Sequence, residues 1–271
     1  MPELPEVETI KNDLLPLISG QIIKAVEIYW PGTLRNASVE TFSGEVVGRT
    51  ITCSKRRGKY LIFPMDNGKS IAVHLKMSGS LIFIKKGESL PASHVRAMFV
   101  FDDGSRLAFR DIRKFGGIWL LEKNSGFLDK LGPEPLENNF TPQIFQNILK
   151  GRDIPIKALL LDQVAIAGIG NMYADEALFE AGIKPGEKAG GLREDEAGKL
   201  YSAILNVLKK GIKSGGASVS TYQRPDGSKG LSHRDFRVAR RRDQQCLECK
   251  TPLEYTKVRG RGTIYCPHCQ K

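Results

Sequence analysis

The chain has 271 residues, room for more than one hydrophobic core, and 41% of them are apolar. Its 41 Lys and Arg outweigh 30 Asp and Glu, a formal charge of +11 that points away from acidic partners and toward a polyanion. No apolar run approaches the ~18 residues that a membrane-crossing helix needs. No basic-then-apolar signal region opens the chain, so a cytoplasmic protein is expected.

The first residues read as a helix from Glu3 to about Leu15. Pro5 suits a first turn, and Glu3, Glu6 and Glu8 complement the positive end of the helix dipole. Val7, Ile10, Leu14 and Leu17 recur at helical spacing, and Pro16 and Gly20 mark the end. The second residue, Pro2, is small enough for Met1 to be trimmed, which would leave a secondary amine beside two carboxylates. An α-amine is far less basic than a lysine, so more of it is unprotonated at neutral pH. Taken alone, Pro2 is also an ordinary helix-leading proline, and Glu3 an ordinary dipole carboxylate.

From Gln21 to about Leu121 the pattern changes to short strands. Ile22 to Ile28 and Val46 to Thr52 are rich in β-branched residues. Asp66-Asn67-Gly68 and Asp102-Asp103-Gly104 each separate two apolar runs, which predicts two hairpins. Many short antiparallel strands suggest a β-sandwich or flattened barrel. Leu131-Gly-Pro-Glu-Pro135 and the residues after it read as an interdomain linker. Helices follow, from Thr141 to Gly151, from Ile154 to Gln163, over Asn171 to Ala181 with Gly182 as cap, and over Leu192 to Ser214. Residues 217–232, with Pro225-Asp226-Gly227, read as a mobile loop.

The tail from Ser232 to Lys271 holds ten Lys or Arg against four Asp or Glu. Cys246, Cys249, Cys266 and Cys269 form two C-x2-C pairs sixteen residues apart, the spacing of a tetrahedral zinc site. Two disulfides are the alternative, disfavoured in a reducing compartment. Four thiolates around one Zn²⁺ would lower the folded charge without reversing it. Lys257 to Thr263 then reads as the tip of a metal-clamped hairpin. The expected class is α+β and multidomain: a β-sandwich with a leading helix over 1–132, a helical domain over 133–232, and a four-cysteine finger over 233–271.

Seven motifs occur in one order. They are Pro2-Glu-Leu-Pro-Glu-Val-Glu8, Arg56-Arg-Gly-Lys-Tyr60, His74-Leu-Lys-Met-Ser-Gly79, Asp111-Ile-Arg-Lys-Phe-Gly116, Leu131-Gly-Pro-Glu-Pro135, Gly168-Ile-Gly-Asn-Met-Tyr173 and the four cysteines. Together they resemble the bacterial formamidopyrimidine-DNA glycosylase family from end to end. The resemblance implies a helix–two-turns–helix fold for the central domain. It also implies a monomeric base-excision repair enzyme, acting on damaged double-stranded DNA at the nucleoid.

The resemblance further implies roles. Pro2 would attack the sugar C1′ to form a Schiff base, Glu3 would act as acid and base, and Glu6 would orient the amine or nearby backbone. Lys59 and Arg261 would act at phosphates beside the lesion, with His94, Arg113, Lys157 and Asn171 as further DNA contacts. Met77, Arg113 and Phe115 would enter the duplex once a nucleotide is flipped out. Isolated, Met77 and Phe115 fit core packing better, but both stand beside glycines, which suggests loops instead of strand interiors.

This chain departs from the family pattern at Pro91-Ala-Ser-His94, at Ala158, and at Val238-Ala239-Arg240. The rival readings are an endonuclease VIII-type enzyme for oxidised pyrimidines, against which Leu4 argues, and a non-catalytic zinc-ribbon binder.

Overall fold

Helix α1 (Leu4–Ile18) buries Leu4, Val7, Ile10, Leu14 and Ile18 along one face. In this computed structural model, which describes residues 1–89 and 93–271, the helix runs through Pro16 instead of stopping there. Pro16 falls in the last turn, where its missing N–H removes one bond without breaking the helix.

Two four-stranded antiparallel sheets follow. Strands β1 (Ile23–Ile28), β2 (Lys55–Arg57), β3 (Tyr60–Pro64), β4 (Ser70–His74), β5 (Gly79–Ile84), β6 (Val95–Phe101), β7 (Arg106–Asp111) and β8 (Gly117–Leu121) sort into the orders β1-β6-β7-β5 and β2-β3-β4-β8. Both sequence-predicted hairpins form, with Gly68 and Gly104 at φ +82° and +86° in their turns. Phe99, Phe101, Leu107 and Phe109 of one sheet share a core with Leu61, Phe63, Val73 and Ile118 of the other and with α1. Each such side chain contributes about 1.5–3 kcal/mol on burial.

The strand expected over Val46 to Thr52 is absent. Instead α2 (Val39–Val46) ends there, and Thr50 and Ile51 make isolated bridges to Ile22 and Met65. Ser38 caps that helix by accepting the Thr41 N–H at 3.1 Å, and Phe42 and Val46 bury one turn apart. The β-branched pair Val46-Val47 concealed this helix end.

Packing divides the chain into two compact units. One is Met1–Leu128 with Ser214–Leu231; the other is Asp129–Lys213 with Ser232–Lys271. This division differs from the boundaries at 132 and 232. The 214–231 stretch groups with the sandwich because its backbone and side chains bond there: Phe83 N–H donates to the Pro225 carbonyl at 2.9 Å, and Arg224 makes a two-pronged ion pair with Asp13 at 2.7 and 2.8 Å. The expected loop is thus fastened to its unit, although it contains no helix or strand.

The second unit contains α3 (Pro142–Leu149), α4 (Ile156–Leu161), α5 (Asn171–Ala181), α6 (Glu194–Lys213) and the hairpin β9 (Glu254–Val258) and β10 (Arg261–Tyr265). Gly182 ends α5 in the left-handed conformation, φ +72°. The finger is not separate here, because Phe179 of α5 packs with Val238, Cys246, Leu253 and Cys266. Nor is 131–135 a free linker: Gly132 N–H donates to Gln163 O, and Ala167 N–H to Pro133 O. Among the described residues, no helix is long and apolar enough to cross a membrane.

Candidate functional site

The first turn of α1 is organised by Glu6. Its Oε2 accepts the Glu3 N–H at 2.8 Å, one arm of a capping box, and its Oε1 accepts the Ala217 N–H at 2.8 Å. Pro2, Glu3 and Glu6 are buried, whereas Met1 is exposed. With Met1 attached, the Pro2 nitrogen is a tertiary amide with no lone pair free for attack. Gly216, at φ +78°, lets the 214–231 loop approach: a Cβ there would lie 2.9 Å from Glu6 Cγ.

The same unit presents an exposed trio. Met77 and Phe115 are 46% and 49% exposed, large apolar side chains outside the core. The Arg113 guanidinium lies 4.6 Å from the centre of the Phe115 ring and 3.3 Å from the Met77 sulfur. The structure therefore gathers Met77, Arg113 and Phe115 from two loops. Buried Asp111 holds those loops together: it accepts from the Ser78 hydroxyl, from Arg113 N–H at 3.2 Å and from Gly116 N–H at 2.7 Å. Gly116 is required, since a Cβ would lie 2.6 Å from the Phe109 ring.

Lys59 follows Gly58 in the turn between β2 and β3 and is 7% exposed. Buried His74 accepts the Lys76 N–H on Nδ1 at 2.9 Å. Burial, then the charges of Lys76 and Lys59, lower its imidazole to about 3, so it is neutral at physiological pH. His94 is exposed, sits at φ +68°, and its carbonyl accepts the Asp111 N–H. The Pro91-Ala92 departure lies outside the described residues.

In the second unit, α4 and α5 are joined by two turns cross-braced by Gln163, whose side chain bonds Leu161 O, Ile169 O and Gly168 N–H. Together α4 and α5 hold the β9–β10 turn. Lys157 Nζ donates to Gly262 O at 3.0 Å and to Thr263 Oγ1 at 2.7 Å, and pairs with Asp175 at 2.6 Å. Asn171 Nδ2 donates to the same Gly262 carbonyl at 3.0 Å. Arg261, next in sequence, is exposed. Lys157 is fully buried and braces the turn that carries Arg261. Burial pushes the Asp175 carboxyl up to about 7, against the pull of Lys157.

The four finger cysteines place their Sγ atoms within 4.8 Å of one another, with 3.9 Å between Cys246 and Cys269 and 3.4 Å between Cys249 and Cys266. Sulfurs around one tetrahedral Zn²⁺ at ~2.3 Å lie about 3.8 Å apart, so the cluster fits that ion.

Sequence reasoning assigned no role to Asp111, Asp175 or Glu176. Glu176 is buried and accepts the backbone N–H groups of Arg237, Val238 and Ala239 at 2.7–3.0 Å. The available signal was a carboxylate pair within the apolar run of α5, Met172 to Leu178, which needs internal partners if buried.

Comparison with known proteins agrees at each level. The family model described as the formamidopyrimidine-DNA glycosylase N-terminal domain matches residues 1–118, and the model of that family's H2TH domain matches residues 131–223. A formamidopyrimidine-DNA glycosylase of Carboxydothermus hydrogenoformans is 45% identical over 271 residues, covering 100% of both chains. One of Enterococcus faecalis is 41% identical, covering 100% of this chain and 98% of its own. The Lactococcus lactis protein in complex with Fapy-dG-containing DNA superposes with TM-score 0.91 at 34% identity, over 99% of this chain and 100% of that one. Its complex with abasic-site DNA gives TM-score 0.92 at 34% identity, over 99% of each chain.

Proposed function

This chain belongs to the formamidopyrimidine-DNA glycosylase family, and from that premise we propose that it removes oxidised purines by covalent catalysis through Pro2 once Met1 is gone. It is a base-excision repair enzyme, a DNA glycosylase of a family with abasic-site lyase activity. The observation that carries the mechanism is the buried first turn of α1, in which Glu6 fastens the backbone beside Pro2.

The Pro2 nitrogen lone pair forms a bond to the sugar C1′ as the C1′–N9 bond breaks, and the base leaves with its electron pair and gains a proton. The proton that the Pro2 nitrogen sheds passes to Glu3, which delivers it to O4′ as the C1′–O4′ bond breaks and the nitrogen lone pair closes an iminium with C1′. The iminium acidifies the C2′ proton. Its loss expels the 3′ phosphate, and a second elimination expels the 5′ phosphate, leaving a one-nucleotide gap. Water then hydrolyses the iminium and frees Pro2.

Lys59 and Arg261 hold phosphates near the lesion, and His94 and Asn171 add backbone contacts. Met77, Arg113 and Phe115 fill the space of the extruded nucleotide; the contact of all three in one exposed cluster supports this. Cys246, Cys249, Cys266 and Cys269 would hold one Zn²⁺, whose part is to fix the hairpin. One chain carries both the reactive turn and the phosphate-gripping hairpin, which supports a monomer acting on chromosomal DNA in the bacterial cytoplasm.

Borohydride reduction in the presence of duplexes bearing 8-oxoguanine, an oxidised pyrimidine or an abasic site tests this reading. A crosslink mapped to Pro2, with 8-oxoguanine preferred over the pyrimidine, is expected. Tight binding without any crosslink, from protein whose N-terminus is Pro2, would sink the mechanism.

A further inference from the structure

Three arginines converge on one face of the second unit. Arg240, Arg242 and Arg261 line a pocket of about 520 Å³ with Asn171, Tyr255 and Gly262. Among the described residues, the one carboxylate in its lining is Asp175, which is already paired with Lys157. The pocket is therefore a basic concavity, suited to an anion.

Arg240 is held there by a rigid turn. The N–H groups of Arg237, Val238 and Ala239 all donate to the Glu176 carboxylate.

 Those of Val238 and Ala239 reach Glu176 Oε1 at 2.8 and 2.7 Å, and Arg241 N–H donates back to the Val238 carbonyl at 3.1 Å. Arg240 itself sits at φ +65°, a conformation that strains any residue with a Cβ and that glycine adopts freely. Among the described residues, its exposed guanidinium has no hydrogen bond or ion pair to offset that strain. Beside it, the Arg242 guanidinium lies 4.3 Å from the centre of the Tyr255 ring, which limits its motion. A strained, unpartnered cation on a braced turn is arranged for a ligand that comes from outside the chain.

We propose that Arg240 binds a backbone phosphodiester of DNA in this pocket, in addition to the contact already assigned to Arg261. The inference rests on the reading of the chain as a DNA glycosylase, and it adds a contact that the seven motifs do not contain. Arg240 reads charge and not sequence, so its contribution is the same on damaged and undamaged duplexes.

Arg240→Gly separates the two roles this residue can have, because it removes the cation and relieves the backbone at once. The relief and the added freedom of the unfolded chain act in opposite directions, so the melting temperature should not fall appreciably. Affinity for an undamaged duplex at low salt should drop by roughly fivefold, and the slope of log affinity against log salt should shrink by about 0.9. Arg240→Lys, which keeps the charge, should retain most of that slope. Wild-type affinity and slope in Arg240→Gly would overturn the proposal. So would equal weakening in Arg240→Gly and Arg240→Lys accompanied by a lower melting temperature, which is the mark of a structural residue. Borohydride trapping of the wild-type protein on an abasic duplex runs alongside. Failure there rejects the glycosylase reading, whereas failure of the salt test alone rejects only the role of Arg240.

Discussion

Glu6 and Ala217 meet through a hydrogen bond of 2.8 Å from the Ala217 N–H to Glu6 Oε1, which ties the loop after α6 to the first turn of α1. The other oxygen of the same carboxylate holds the Glu3 N–H. One side chain thus sets both the start of the helix and the position of a distant loop.

Glu6→Gln tests that double duty. A carboxylate accepts at both oxygens, while the amide turns one of them into a donor that faces a backbone N–H. The buried mismatch should cost about 1–3 kcal/mol of stability. Because the Pro2 backbone is then less well placed, kcat for 8-oxoguanine excision should fall by roughly a hundredfold, with a smaller change in KM. Single-turnover kinetics alongside urea melts would check both. Wild-type excision in the destabilised variant would show that Glu6 supports the fold alone.

His74 gives a dependence on pH whose sign is fixed. Its folded pKa of about 3 lies below the ordinary value of 6.5, so between these limits the unfolded chain binds the proton and the folded chain does not. The stabilisation is present above pH 6.5 and is lost as pH falls toward 3, by up to about 1.4 kcal/mol per pH unit. His74→Asn offers an oxygen in place of Nδ1 for the Lys76 N–H but does not titrate. Urea midpoints measured from pH 7 to 4 should therefore decline less in the variant. Parallel declines would remove His74 from the acid response.

Asp111 should matter more than its position outside the exposed trio suggests. Asp111→Asn keeps the shape but removes the charge that draws together Ser78, Arg113 N–H and Gly116 N–H. The two loops should loosen and nucleotide extrusion should weaken. A 2-aminopurine reporter opposite the lesion should show a smaller fluorescence rise, with non-specific DNA affinity nearly unchanged. An unaltered fluorescence change would mean that the loops hold their shape without the carboxylate.

The sequence carried local signals well and long-range ones poorly. Gly182 marked the end of α5 and Gly104 the turn of a hairpin, because each satisfies a backbone need within a few residues. The four cysteines were legible for the same reason, since their spacing is set by the metal geometry they fit. Asp111, Glu176 and the Lys157–Asp175 pair were not legible, because their partners come from other segments. The exposure of Met77 and Phe115 followed from neighbouring glycines, but their contact through Arg113 needed the packing of two loops. The 214–231 loop, rich in turn formers, gave no hint of its fastening to Glu6 and Asp13.

Metal removal should disable the hairpin while sparing the sandwich. The cysteine cluster is bonded into the second unit: Gln270 side-chain N–H donates to Ile183 O at 2.8 Å, and its Oε1 accepts the Cys266 N–H at 2.9 Å. Without the ion, four thiols in close contact lose the bonds that hold the finger closed, and structural zinc in small fingers contributes about 10–16 kcal/mol. The β9–β10 turn should then lose its register even though Lys157 and Asn171 still face it. Treatment with a strong chelator, or Cys249→Ser, should release one zinc per chain by atomic emission and abolish tight duplex binding. Amide exchange should rise over residues 246–271 and stay slow in β3, β4 and β7, which belong to the other unit. Intact duplex binding by metal-free protein would show that the hairpin holds its shape through Lys157, Asp175 and Asn171 alone.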